Sequence, residues 1–122
     1  MLEQELKKLI QLEASTKGCR LWRNNVGATY DEFGNFIRFG LANESAAINK
    51  IIKSSDLIGI RPIVVTEEMI GKKIGQFLSR EIKKPGWKYN VNNDHDRAQL
   101  AWLNLINALG GDAAFMSELG TL

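Results

Sequence analysis

Two apolar, β-branched runs separated by a turn-forming stretch constrain the fold of this chain more than any other feature. "DLIGIRPIVV" (56–65) and "KIGQFLSREIKK" (73–84) read as strands, and "TEEMIGK" between them reads as a turn. Joined in this way they form an antiparallel hairpin. With the turn centred near Met69 and Ile70, Asp56 falls roughly opposite Lys83, and Glu81 falls near Ile58. Glu81 and Lys83 stand two residues apart, and alternate residues of a strand share a face. Diagonal neighbours across a strand pair lie about 7–8 Å apart. The hairpin therefore delivers two carboxylates to one hard cation, with an amine beside them.

The remaining segments supply a frame for that pair. Leu2, Leu6, Leu9 and Ile10 recur at helical spacing, giving an amphipathic helix that runs to about Lys17 and stops at Gly18. "CRLWRNN" reads as a strand, and "GATYDEFGNFIRFG" as a loop or small hairpin. Asn43 can cap a short helix through Lys53 with Ile48, Ile51 and Ile52 as its apolar stripe. A third helix, capped by Asn93 or Asp94, runs to Leu109 and ends at Gly110–Gly111. Its expected buried stripe is Ala98, Ala101, Trp102, Leu105 and Leu109, and Trp22 and Trp102 are expected in the core. "DAAFMSE" closes the series as a short strand. The expected fold class is α/β (α+β), a small mixed central sheet flanked by helices. No repeat or linker divides the 122 residues, so one domain over residues 1–122 is expected.

Composition narrows the chemistry. The net charge is +2, from 16 basic and 14 acidic residues, which permits a polyanionic partner only if the charges segregate. One cysteine, Cys19, excludes an internal disulfide and a cysteine-rich zinc site. One histidine, His95, excludes sites built from several imidazoles. "GKKIG" lacks the Lys-Ser/Thr ending of a phosphate-binding loop. The charged start "MLEQELKK" and the lack of a long apolar run lead us to expect no signal peptide, no membrane span and a cytoplasmic location.

Mg²⁺ keeps several waters and takes one or two carboxylates from a protein. Asp56, Glu81 and the backbone carbonyl of Ile82 suit it, with Mn²⁺ as the other candidate. Such a metal polarises a phosphoryl oxygen and lowers the pKa of a bound water. Lys83 can hold that water or stabilise the charge that develops on phosphorus. An E-x-K pair alone is mostly solvated charge on a strand. Asp56 upstream and a glutamine on a later helix sharpen the reading.

In order, "WRNNVGA", "SSDLIGI", "EEMIGKKIGQFLSREIKK" and "RAQLAWLNLINALGGDAAF" resemble the virus-type replication–repair nuclease domain, a branch of the PD-(D/E)xK nucleases. The resemblance spans nearly the whole chain. It implies a restriction-endonuclease-like αβββαβ core, metal binding by Asp56 and Glu81, and a catalytic Lys83. Gln99 takes the place of the glutamine that completes the site, and Glu5, with Glu3 as the alternative, that of a glutamate on the first helix. Ser55 stands where the family usually has proline, and "LANESAAINKIIK" is longer than usual. The resemblance further implies a homodimeric endonuclease acting on branched DNA such as four-way (Holliday) junctions, in DNA repair or in a phage. The competing readings are a nuclease of phage DNA processing or restriction without branch preference, and a non-catalytic DNA-binding module.

Several basic and polar residues are candidates for contact with DNA: Arg23, Asn24, Asn25, Lys50, Lys53, Lys84, Lys88 and Arg97. Each also has a plainer reading as turn former, local ion pair or solvated charge. Trp87 can stack on a base or anchor its loop.

Overall fold

A computed structural model describes residues 2–120. The chain forms two compact units, Met1–Gly59 and Ile60–Leu122. The fold is mixed α and β, with three helices and, among the described residues, three two-stranded sheets. No described helix is long and apolar enough to cross a membrane.

The first unit begins with helix α1 (Glu3–Thr16). Glu5 Oε2 accepts the Leu2 N–H at 3.0 Å, which satisfies one of the donors exposed at a helix start. At the other end Cys19 N–H reaches Ala14 O and Gly18 N–H reaches Ser15 O, with Gly18 at φ +77°. This is a Schellman stop, and the positive φ explains the glycine. The expected apolar stripe of α1 is not buried: Leu2, Leu6, Leu9 and Ile10 are exposed, whereas Ala14 is buried. Strand β1 (Arg20–Arg23) follows and receives a hydrogen bond from Gln11 Nε2 to Leu21 O.

Strands β2 (Gly27–Tyr30) and β3 (Phe36–Phe39) form an antiparallel hairpin in the register Gly27↔Phe39, Tyr30↔Phe36. Asp31 organises its loop: Oδ1 accepts the Phe33 and Asn35 N–H groups, and Oδ2 accepts Asn35 Nδ2. Asn35 lowers the Asp31 pKa from its ordinary value, through its side chain first and its backbone second. Asn43 does not cap the next helix. It is buried, and its Nδ2 donates to Gly27 O (2.7 Å) and Phe39 O (3.0 Å), which closes the open end of the hairpin. Ser45 caps α2 (Ala46–Ile51) instead, accepting the Ile48 N–H at 3.1 Å. Ile48, Ile51 and Ile52 are exposed rather than packed, because a helix of six residues has too few turns to bury a stripe.

Strand β4 (Leu57–Ile60) pairs with β1. Asn24 N–H donates to Asp56 O, and Gly59 lies against Arg20, so the two strands run in opposite directions. A Cβ on Gly59 would fall 1.9 Å from Arg20 O, so this close approach requires glycine. Among the described residues the expected hairpin between 56–65 and 73–84 does not form, and the strand in each run pairs elsewhere. Regular strand ends at Ile60, just before Pro62, whose ring nitrogen has no hydrogen to donate to a ladder. The region 61–77 is irregular apart from a 3₁₀ turn, Glu67–Met69.

The second unit is a β–α–β arrangement. Strand β5 (Leu78–Ile82) runs parallel to β6 (Asp112–Met116), with Leu78↔Asp112 and Ile82↔Met116 in register. Helix α3 (Asp94–Ala108) makes the crossover that a parallel pair requires. Asn93 caps it by accepting the Asp96 N–H at 2.9 Å. Its end repeats the α1 solution: Gly111 N–H reaches Ile106 O, Gly110 N–H reaches Asn107 O, and Gly110 has φ +96°. The buried face of α3 is Leu103 and Ile106, with Ala113 of β6 also buried, and not the stripe through Ala98, Ala101 and Trp102. Trp102 is 37% exposed, and its indole N–H donates to Ser79 Oγ. Trp22 is half-buried. Asn107 clasps β6 from the helix, donating to Ala113 O (2.9 Å) and accepting the Ala113 N–H (2.8 Å).

Candidate active site

Three of the expected site residues meet in the second unit. Glu81 stands on β5, and Lys83 follows one residue beyond its end. The Lys83 N–H donates to Met116 O at 2.9 Å, so its backbone still continues the pairing with β6. Gln99 projects from the second turn of α3. Its amide joins the other two side chains: Lys83 Nζ donates to Gln99 Oε1 at 2.6 Å, and Gln99 Nε2 donates to Glu81 Oε1 at 2.7 Å. An amide can do both at once because it carries an acceptor and a donor on one planar group. The ammonium and the carboxylate are thereby held in fixed relation. Among the described residues Lys83 forms no ion pair with a carboxylate.

Aromatic rings complete the surroundings of Lys83. Its Nζ lies 5.0 Å from the Trp87 ring centroid and 5.7 Å from that of Phe115. Trp87 returns toward the strand because Trp87 N–H bonds Lys84 O across a turn with Gly86 at φ +83°. Trp87 and Phe115 are 4.7 Å apart between centroids, and Tyr89 touches both. The ring faces attract the ammonium. The sequence signal for this enclosure is weak: Trp87 lies four residues past Lys83, and Phe115 is on another strand.

Glu81 uses Oε1 for Gln99 and makes no hydrogen bond through Oε2 among the described residues. Among those residues no three histidine, cysteine or carboxylate side chains converge on one point. A closed zinc-type cage is thus not built here. One carboxylate oxygen, the neighbouring Ile82 carbonyl and water suit the Mg²⁺ or Mn²⁺ pattern of few protein ligands.

Asp56 belongs to the first unit. Its exposed carboxylate is 3.5 Å from Lys7 Nζ, which is also 3.4 Å from Glu3 Oε1. Glu3 is therefore linked to Asp56 through Lys7, while Glu5 is engaged at the helix start. The polar residues after β1 hold the segment that carries Asp56. Asn24 Nδ2 donates to Ser54 Oγ (2.6 Å) and Ser55 O (2.9 Å), and Ser54 Oγ donates to Leu41 O. Both hydrogens of the Asn24 amide thus point into the protein. Arg23 and Asn25 flank it and are exposed. Lys50 and Lys53 lie at the end of α2 and just beyond, exposed, with Lys53 Nζ on Asn49 Oδ1 at 2.6 Å. In the second unit Lys84 and Lys88 are exposed, and Arg97 pairs with Asp94 and donates to Val91 O.

Compared with protein-family models, with curated proteins and with solved structures, the chain matches none.

Proposed function

We propose that this chain is a Mg²⁺- or Mn²⁺-dependent DNA endonuclease. The observation that supports this reading best is the Glu81–Gln99–Lys83 chain of hydrogen bonds. It joins the carboxylate and the amine of the E-x-K pattern through the one glutamine that the pattern leads us to expect. A bound Mg²⁺ or Mn²⁺ would polarise a phosphoryl oxygen and make a water more acidic. Glu81 and the Ile82 carbonyl would hold it in the second unit, and the resemblance assigns Asp56 as a further ligand. Gln99 fixes the Glu81 carboxylate. Lys83 directs its remaining ammonium protons at a phosphoryl oxygen or at the attacking water. Its charge opposes that developing in the transition state, beside the rings of Trp87 and Phe115. The restriction-endonuclease-like core, a branched substrate and a homodimer belong to the same proposal. Two sites related by a two-fold axis can cut two strands symmetrically.

The test is cleavage of linear, flap and four-way DNA with Mg²⁺, with Mn²⁺ and with EDTA. Metal-dependent cutting is expected, strongest on the four-way substrate. Binding without cutting under any metal identifies a non-catalytic module, and equal cutting of all three substrates removes the branch preference. Sedimentation velocity reports the dimer.

A further inference from the structure

The first unit contains a cleft of about 380 Å³ whose lining includes Arg38, Asn43, Asn49, Lys53 and Ser54, and no acidic residue. Arg38 comes from β3, and Lys53 from the segment after α2. Among the described residues neither forms an ion pair, so the cleft gathers two uncompensated cations. Two like charges lining one cleft with no counter-charge repel each other, and an anion relieves that repulsion.

Both cations are held in place. The Arg38 guanidinium donates NH1 to Asn43 Oδ1 at 3.2 Å and lies over the Phe36 ring at 5.2 Å. Asn43 is itself 4% exposed and fixed by its two bonds to Gly27 O and Phe39 O. The guanidinium fork carries five N–H donors, so most remain for a ligand. Lys53 Nζ uses one donor on Asn49 and keeps two. A planar fork and an ammonium lining the same cleft match a tetrahedral oxyanion. The hairpin bearing Arg38 also exposes Tyr30, Phe33 and Phe36, ring faces on which bases stack. Lys53 and Ser54 lead directly along the chain to Ser55 and Asp56.

We propose that this Arg38–Lys53 cleft is a subsite for one phosphate of a nucleic-acid backbone, with the aromatic hairpin beside it receiving a base. The proposal rests on the nuclease reading for its choice of polyanion. It adds Arg38 and Asn43 to the binding surface, the first as a direct contact and the second as a positioning residue.

The experiment is fluorescence anisotropy of a labelled four-way DNA junction with the full chain, in EDTA, across a series of KCl concentrations. Arg38→Gln and Lys53→Gln are each expected to weaken binding about 5- to 10-fold and to lower the slope of log K against log[KCl] by about 1. Arg38→Lys is expected to retain that slope. Lys17→Gln, at a residue paired with Glu13 outside the cleft, is expected to change neither quantity. If Arg38→Gln unfolds by circular dichroism, Lys53→Gln carries the test, because its side chain is exposed. Wild-type affinity and slope in folded Gln variants overturn the subsite. So does a wild-type chain that takes inorganic phosphate but not the junction. Cleavage with Mg²⁺ is measured in parallel. A wild type that cuts, with Gln variants that bind normally, sinks the subsite alone. A wild type that does not cut, with Gln variants that lose binding, sinks the nuclease reading and leaves the subsite standing.

Discussion

Gln99 Oε1 accepts Lys83 Nζ at 2.6 Å, and this one contact ties helix α3 to the end of strand β5 at the point where the candidate chemistry sits. The other end of the same amide holds Glu81. Gln99 is therefore the part of the site whose loss disturbs both charged groups at once.

Gln99→Ala is expected to leave the fold intact and to lower the cleavage rate about 100-fold, because small misplacements of reacting groups cost on that order. Gln99→Glu keeps an acceptor for Lys83 Nζ but loses the N–H that donates to Glu81 Oε1, so it too is expected to slow cleavage. Wild-type cleavage in Gln99→Glu would contradict the Gln99–Glu81 contact as a functional one.

Glu81→Ala and Lys83→Ala are expected to abolish cleavage while near- and far-UV circular dichroism stay as in the wild type. Isothermal titration with Mn²⁺ separates the two roles. Glu81→Ala should lose metal binding, whereas Lys83→Ala should keep it. Full activity in either variant is incompatible with the assignment.

Asn107→Ala removes both bonds that clasp Ala113 to α3. Leaving a buried N–H and C=O unsatisfied costs about 1–3 kcal/mol each, partly offset where water reaches them. Ile106→Ala, at a side chain with no exposure, is expected to cost about 2–5 kcal/mol through transfer and cavity effects together. Urea titrations of both variants measure these losses. Asn107→Asp, which keeps the acceptor and loses the donor, should fall between wild type and Asn107→Ala.

Acidification below the ordinary range of an aspartate should loosen the β2–β3 loop. The Asp31 pKa is lowered from its ordinary 3.8 in the folded state. A carboxylate with a depressed folded pKa stabilises the fold above its unfolded pKa, and that stabilisation is lost as pH falls through the folded pKa. Amide shifts of Phe33 and Asn35 followed by NMR should therefore titrate together below pH 3.8. In Asp31→Asn that titration should disappear.

Gly59→Ala is expected to break the pairing of β4 with β1, because a Cβ there would sit 1.9 Å from Arg20 O. The backbone cannot yield as a flexible side chain would. Loss of the Asn24–Asp56 hydrogen bond, read from amide exchange at Asn24, checks this.

The ends of α1 and α3 were legible in the sequence because they depend on neighbours. The glycines at 18 and 110 and the cap at Asn93 act through hydrogen bonds spanning a few residues, and each lies where the sequence places it. The spacing of Glu81 and Lys83 was legible for the same reason, since a strand alternates whatever it pairs with. Which strand pairs with which was not. The apolar runs at 56–65 and 73–84 suit a hairpin with each other, yet β4 pairs with β1 and β5 with β6. Local pattern carries no label for a distant partner. It marks both runs as strands, and the choice follows from Pro62, from the close approach that only Gly59 allows, and from the crossover through α3. The same limit applies to Asn43 and Trp102. Asn43 has the local form of a helix cap but closes a hairpin, and Trp102 has the composition of core but meets Ser79 at the surface. By itself the sequence determined the ends of α1 and α3 and the identity of an acid, an amine and an amide. Only tertiary structure decided that Gln99, 18 residues from Glu81, bridges it to Lys83, because a hydrogen bond between side chains is set by the packing of the helix on the strand.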